Sequence, residues 1–305
     1  MTPLVSIGIP CFNAAHSLRN AIQSALDQTW PHCEIIVVDD GSTDTSLVQA
    51  SAFGNRVLVI QSPRRGVNQA RNMILNEARG EWVQFLDPED FLEPWKIEKQ
   101  LAETNGGAEA DVIFSPVWIE RGDAIRKQSK ASADDSICKQ WIEGTLPPVV
   151  GMLWRHASLQ NIAGWRPELA CCHEYELYSR SIKEGLQWKF APTPGAIYRA
   201  RIPAIERKDP GLAFRTRASL LDALKSWMEK KKSWLPQFQD CASRACFDMA
   251  RRYARHHLKE AARFHRDRRV RGLIKVDRQN APAGYRAIYR TFGFAFAERT
   301  TALFR

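Results

Sequence analysis

The chain has no apolar run near the ~18 residues of a membrane-spanning helix, which excludes an integral membrane protein. Met1-Thr2-Pro3-Leu4 lacks the basic region and small-residue cleavage site of a secretory leader. There is no C-x-x-C pair and no N-x-S/T sequon, and the seven cysteines are an odd set with Cys171 and Cys172 adjacent. A disulfide scaffold is excluded, and a reducing, cytoplasmic setting is expected. Also missing are a Walker-type loop, a G-x-G-x-x-G turn and a Ser/His/Asp order, so the phosphate-cradle, dinucleotide and serine-hydrolase patterns find no anchor.

What is present is a globular composition: 305 residues, 44% hydrophobic and 26% charged. That length allows one large domain or two modest ones with a sizeable core. The net charge of +10 is unevenly spread: residues 199–305 carry +16 and residues 1–198 carry −6. An acidic front and a basic back suggest two jobs, one done by carboxylates and one by arginines.

The front half alternates strand and helix. Leu4 to Ile9 reads as a buried strand closed by Pro10, and Ser17 to Asp27 has apolar residues at helical spacing. Glu34 to Val38 is a continuous β-branched run suited to a parallel sheet covered on both faces. Val57 to Ile60, a helix over Gln69 to Arg79, and Trp82 to Leu86 continue the pattern. The expected fold is α/β, a doubly wound, mostly parallel sheet with helices on both faces. Further strands are expected at Asp111–Phe114, Ala124–Lys127, Trp188–Phe190 and Ala196–Tyr198, with a helix over Glu174–Glu184. Beyond Pro210 only helices are expected, over 211–232 and 236–265, then an amphipathic segment from Tyr285 to Phe304.

In an open α/β sheet, ligands bind beyond the carboxyl ends of the strands. Pro10-Cys11-Phe12-Asn13, Asp39-Asp40-Gly41-Ser42 and Asp87-Pro88-Glu89-Asp90 fall at three such ends. Five neighbouring carboxylates repel one another unless a cation or donor groups compensate them. Each cluster alone is also an ordinary turn former; together they favour a site.

These segments, with Ser24–Thr29, Glu34–Asp44 (EIIVVDDGSTD), Gly66–Asn72 (GVNQARN) and Gly80–Leu92 (GEWVQFLDPEDFL), resemble the family 2 glycosyltransferases. That family is inverting, uses nucleotide sugars and has the GT-A fold. A looser continuation through Gly164-Trp165, His173–Arg180 and Tyr198-Arg199 brings the resemblance to about two-thirds of the chain. It implies a GT-A domain over 1–205, with a nucleotide-sugar half (1–110) and an acceptor half (111–205). A basic helical region, 206–305, lies outside it.

The resemblance also implies roles. Asp40, beside Asp39, matches the carboxylate that accepts the N3–H of uracil, and Arg71 the donor-side arginine. Pro10, Phe12 and Asn13 would pack on the nucleoside, although Asn13 reads equally well as a helix N-cap. Asp87-Pro88-Glu89 stands at the family's D-x-D position, so Asp87 and Glu89 would hold Mn²⁺ or Mg²⁺, with Asp90 as a substitute ligand. The proline and the longer Glu89 depart from that pattern. Glu174 falls at the position of the catalytic base, and His173 replaces the acidic residue before it and is itself a candidate base. Trp165 and Arg180 belong to the acceptor side. The expected donor is a UDP-sugar, the acceptor a saccharide or lipid-linked hydroxyl, and the setting cell-surface polysaccharide synthesis.

The departures at Glu89 and His173 leave a second reading, a domain that binds nucleotide sugars without turnover. The basic stretch from Arg251 to Arg271, followed by aromatics at Tyr285, Tyr289, Phe292 and Phe296, leaves a third. It would rest 251–305 peripherally on the anionic inner face of a membrane, or simply form a solvated face packed on the catalytic domain. Nucleic acid is not an expected partner, since no nucleic-acid-binding pattern is present.

Overall fold

Val5-Ser6-Ile7-Gly8-Ile9-Pro10-Cys11 is buried at every position, as a central strand covered on both faces must be. This strand, β1 (Val5–Cys11), does not stop at Pro10 as expected: Pro10 pairs with Val38 and Cys11 with Asp39. In a parallel ladder, one missing N–H leaves the neighbouring bonds intact. The computed structural model describes residues 2–121, 125–200 and 209–302. It separates into one unit of Met1–Ile137 with Thr145–Arg201 and another of Cys138–Gly144 with Ile202–Arg305. The boundary expected at 205/206 lies outside the described residues.

In the first unit, β1 is followed by α1 (Leu18–Leu26), β2 (Cys33–Asp39), α2 (Ser46–Ser51), β3 (Leu58–Gln61), α3 (Val67–Glu77) and β4 (Trp82–Phe85). Next come β5 (Phe91–Leu92), α4 (Lys96–Glu103), β6 (Val112–Phe114), β7 (Trp118–Arg121), β8 (Ile125–Gln128) and α5 (Ile137–Glu143), most of which belongs to the second unit. The first unit ends with β9 (Met152–Arg155), α6 (His156–Asn161), α7 (His173–Lys183), β10 (Trp188–Phe190) and β11 (Ala196–Arg199). One seven-stranded sheet has the order β10-β6-β9-β4-β1-β2-β3, and β5-β11-β7-β8 form a smaller one. Strands β4, β1, β2 and β3 run parallel, so the α/β expectation holds. Strand β9 enters antiparallel between β4 and β6, which hydrophobic periodicity did not foretell. Residues 122–124, part of the strand expected at Ala124, lie outside the description.

Helix α3 lies against β1 at Gly8, where an added Cβ would sit 2.1 Å from Cγ2 of Ile74. Only glycine lets the helix come this close, and α3 carries Asn68 and Arg71 toward the strand tips.

The second unit contains α8 (Pro210–Lys230), α9 (Pro236–Ala254), α10 (Leu258–Val270) and α11 (Ala283–Ala302). The helix expected over 236–265 is two helices, broken at Arg255–His257. The final segment bends at Gly293, whose φ of 80° is open to glycine without strain. Phe247, Ala250, Tyr253, Ala261, Tyr285 and Phe294 form the core of this unit. No helix among the described residues is long and apolar enough to cross a membrane.

Candidate active site

The ends of β1 and β2 are tied together by their own polar side chains. Asn13, at φ 48°, donates its N–H to Ser42 Oγ (3.0 Å), and its Oδ1 accepts from the Thr43 amide (2.8 Å). The residue at the N-cap of α1 is Ser17, so Asn13 is a clamp between two loops and not a cap. Asp40 is buried, and its two oxygens accept from the backbone N–H groups of Arg65 (2.7 Å) and Gly66 (2.8 Å). It thereby fixes the turn that opens α3; each oxygen keeps a second lone pair. Asp39 accepts from the Ser42 amide (3.1 Å) through Oδ2, while its buried Oδ1 has no donor among the described residues. Pro10 is buried inside β1, and the exposed Phe12 ring lies 3.2 Å beneath the Arg64 guanidinium.

Arg71 is 4% exposed, so its charge needs compensation. Asp87 supplies it at 2.7 Å, and the guanidinium lies 4.4 Å from the ring centre of Trp165. Trp165 is itself 1% exposed and meets Phe85 edge-on at 5.4 Å, making it the wall behind Arg71. Its backbone is held by a reciprocal pair with the Asn72 amide, both bonds 2.8 Å. The three acidic residues after β4 differ in setting. The side chains of Asp87 and Glu89 keep 34% and 29% of their exposure, and His16 lies 3.7 Å from Glu89. Asp90 is buried and accepts from the Arg199 N–H at 2.9 Å, stapling the turn to β11. Burial, with Asp87 nearby, pushes the Asp90 carboxyl well above the usual range.

Helix α7 begins after Cys172, which adopts a left-handed φ of 58° that side chains other than glycine rarely take. His173 and Glu174 enter in the first turn. Asn68 donates to His173 Nδ1 (2.7 Å) and to the Arg166 carbonyl (2.6 Å). The second bond fixes the amide orientation, so Nδ1 accepts and the imidazole is the Nε2–H tautomer. Burial, and then Arg71, push His173 down to about 4 against the pull of Asp87. The ring is neutral near pH 7 and presents an N–H. Glu174 Oε1 accepts from the Val149 N–H at 2.8 Å. Burial pushes its carboxyl up to about 7, with Asp87 acting the same way and Val149 and Arg71 opposing. The chain thus gathers Glu174, His173, Arg71 and Asp87 into one electrostatic cluster.

Arg180 is tied to the protein's own groups. It forms a two-point pair with Glu176 and donates to the carbonyls of Ile162 and Gly164 (2.7 Å), holding the turn that delivers Trp165. Sequence reasoning overlooked Asn68 and the Val149 amide. Asn68 lies inside GVNQARN, where its polar character beside an apolar helix face was a usable signal. Among the described residues, no group of three or more His, Cys, Asp or Glu side chains forms a metal-ligating set.

Residues 6–182 match the family model described as glycosyl transferase family 2. A glycosyltransferase of Rickettsia typhi is 39% identical over 60% of this chain and 59% of its own length. The chain thus spans about three-fifths of the curated relatives it first matches. TuaG of Bacillus subtilis, named for teichuronic acid biosynthesis, is 41% identical over 65% of this chain and 88% of its own. Among solved structures, Staphylococcus aureus TarS 1–349 in complex with UDP-GlcNAc superposes with a TM-score of 0.61 at 19% identity. The superposition covers 87% of this chain and 88% of that one, and both share the GT-A fold. With the strand tips, Arg71–Asp87 and the start of α7 all inside the matched residues, the chain belongs to glycosyl transferase family 2.

Proposed function

We propose that this site transfers a sugar from a UDP-sugar to a hydroxyl of a saccharide or lipid-linked acceptor, with inversion at the anomeric carbon. The reading is carried by the position of Glu174: a carboxyl pushed up to about 7 and grouped with Arg71 and Asp87. On the donor side, the Oδ1 of Asp39, unpaired among the described residues, and the remaining lone pairs of Asp40 suit a ring N–H, and Phe12 and Asn13 line the approach. Arg71 is held by Asp87 and Trp165 where a diphosphate would need a cation.

Asp87 and Glu89 fit a divalent cation. Both are oxygen donors with part of their surface open, and two carboxylates plus substrate phosphates is a usual set for Mg²⁺ or Mn²⁺. Asp90, buried and bonded to Arg199, is the weaker candidate. Bound there, the ion would offset the negative charge that develops on the departing diphosphate. Ionised Glu174 takes the proton of the acceptor hydroxyl. The hydroxyl oxygen then bonds to the anomeric carbon from the face opposite the diphosphate, whose bond to that carbon breaks. His173, pushed down to about 4 and so neutral near pH 7, contributes a donor N–H and not a base.

Calorimetric titration with UDP and Mn²⁺ tests the donor side. The wild type is expected to bind saturably. Asp40→Ala should weaken UDP and lower Tm, because two part-buried bonds to backbone amides are lost at about 0.5–1.5 kcal/mol each. UDP affinity unchanged in Asp40→Ala would remove that turn from the donor site.

A peripheral membrane role for the second unit is favoured by one observation. Phe292 and Phe296 are 61% and 48% exposed with ring centres 4.7 Å apart, beside the exposed Arg290 and Arg299. Exposed aromatics flanked by arginines suit an anionic bilayer. The full chain should co-sediment with phosphatidylglycerol vesicles in low salt, and each Phe→Ser change should weaken this about tenfold. Equal binding to neutral vesicles, or none to anionic ones, would contradict the reading.

A further inference from the structure

Lys96 on α4 is fully buried, and burial alone pushes its ammonium well below the usual lysine range. Its Nζ donates to Gln84 Oε1 on β4 and to the Met152 carbonyl at 3.3 Å. Gln84 Nε2 in turn donates to the Val150 carbonyl (3.1 Å), and Gln100 Nε2 to the Gly151 carbonyl (3.0 Å). Three successive carbonyls, of residues 150, 151 and 152, therefore each accept from a different buried side chain. Immediately upstream, the Val149 N–H holds Glu174 at 2.8 Å, and Tyr178 Oη donates to the Pro147 carbonyl at 3.2 Å. The segment Pro147–Met152 is thus gripped from α4 and β4 on one side and from α7 on the other.

Such a network is costly. The lysine is desolvated, and Gln100 Oε1 is buried without a partner among the described residues. Replacing a whole buried polar set by apolar side chains of similar volume is often neutral or stabilising, so bulk stability alone is a poor reason for it. We infer that Lys96, Gln84 and Gln100 are positioning residues for the base: they fix Pro147–Met152 so that the Val149 amide holds the Glu174 carboxylate against the acceptor hydroxyl. The inference rests on Glu174 being the base. A displacement near 1 Å at such a contact is enough to cost about 10²-fold in rate.

The test is Lys96→Met in the full chain, alone and combined with Glu174→Gln. Methionine keeps the length but leaves Gln84 Oε1 and the Met152 carbonyl without the lysine donor, so Tm should fall modestly with the fold intact. Amide exchange at Val149, followed by NMR, should accelerate at least about tenfold relative to β1 amides, as expected where one local contact opens without global unfolding. UDP release from UDP-N-acetylglucosamine with Mn²⁺ should lose about tenfold or more in kcat, with KM for the donor within about twofold. On the Glu174→Gln background, Lys96→Met should cost nothing further, since both act through one group. Unchanged exchange at Val149, or an equal cost on both backgrounds, would overturn the inference. If Lys96→Met does not fold, Gln100→Met reads the same quantities. Full activity in Glu174→Gln would overturn the base assignment, while the exchange result would still judge the contact separately.

Discussion

Replacing Glu174 with glutamine is expected to lower sugar transfer by about 10²–10⁴, the usual contribution of a positioned general base. The amide keeps the size of the side chain and can still accept from the Val149 N–H, so the first turn of α7 should stay in place. What it cannot do is take a proton. UDP affinity should remain within about twofold, because the contacts proposed for the nucleoside come from the β1 and β2 tips. His173→Gln is the control. Its Nδ1 is occupied by Asn68 and its pKa is pushed down to about 4, so its loss should cost far less than that of Glu174. A larger loss in His173→Gln would move the base to the imidazole.

The second large effect is expected at Asp87. This carboxylate both neutralises the buried Arg71 and offers its open side to a cation. Asp87→Asn should therefore abolish the difference between UDP binding in Mn²⁺ and in EDTA. The loss should be at least the roughly 10–100-fold that follows removal of an outer partner at a metal site. Arg71 would also be left buried without its counter-charge, at a cost to stability. Glu89→Gln should show the same loss of metal dependence with a smaller change in Tm, because its ion-pair partner His16 is largely exposed whereas Arg71 is buried. Calorimetry with and without EDTA separates the two variants. Wild-type affinity that ignores Mn²⁺ would reject the cation site at Asp87 and Glu89.

The local parts of the fold were legible because local sequence determines them. Buried β-branched runs gave β1 and β2, and helical spacing gave α1, α3 and α7 to within a few residues. The strand tips stood out because carboxylates do not gather in turns without compensation. Long-range partners were not legible. Strand β9 is antiparallel because of what flanks it on both sides, and nothing in Met152–Arg155 states that direction. Asp40 finds its protein donors in the amides of Arg65 and Gly66, 25 and 26 residues on. Arg180 likewise finds the carbonyls of Ile162 and Gly164, 18 and 16 residues back. A lysine in the sequence gives no sign of burial, and only the packing of α4 on β4 and β9 shows Lys96 to be buried.

The account turns on Glu174 acting as the base, and the pH dependence of UDP release tests this most directly. A carboxyl that ionises near 7 is protonated and inactive as a base below that value. The wild-type rate should therefore rise with pH through about 7 and level off above it. In Glu174→Gln, the residual rate should lose that rise. A wild-type rate that is flat from pH 5 to 9, roughly two units either side of that value, or a rise that survives in Glu174→Gln, would contradict the account.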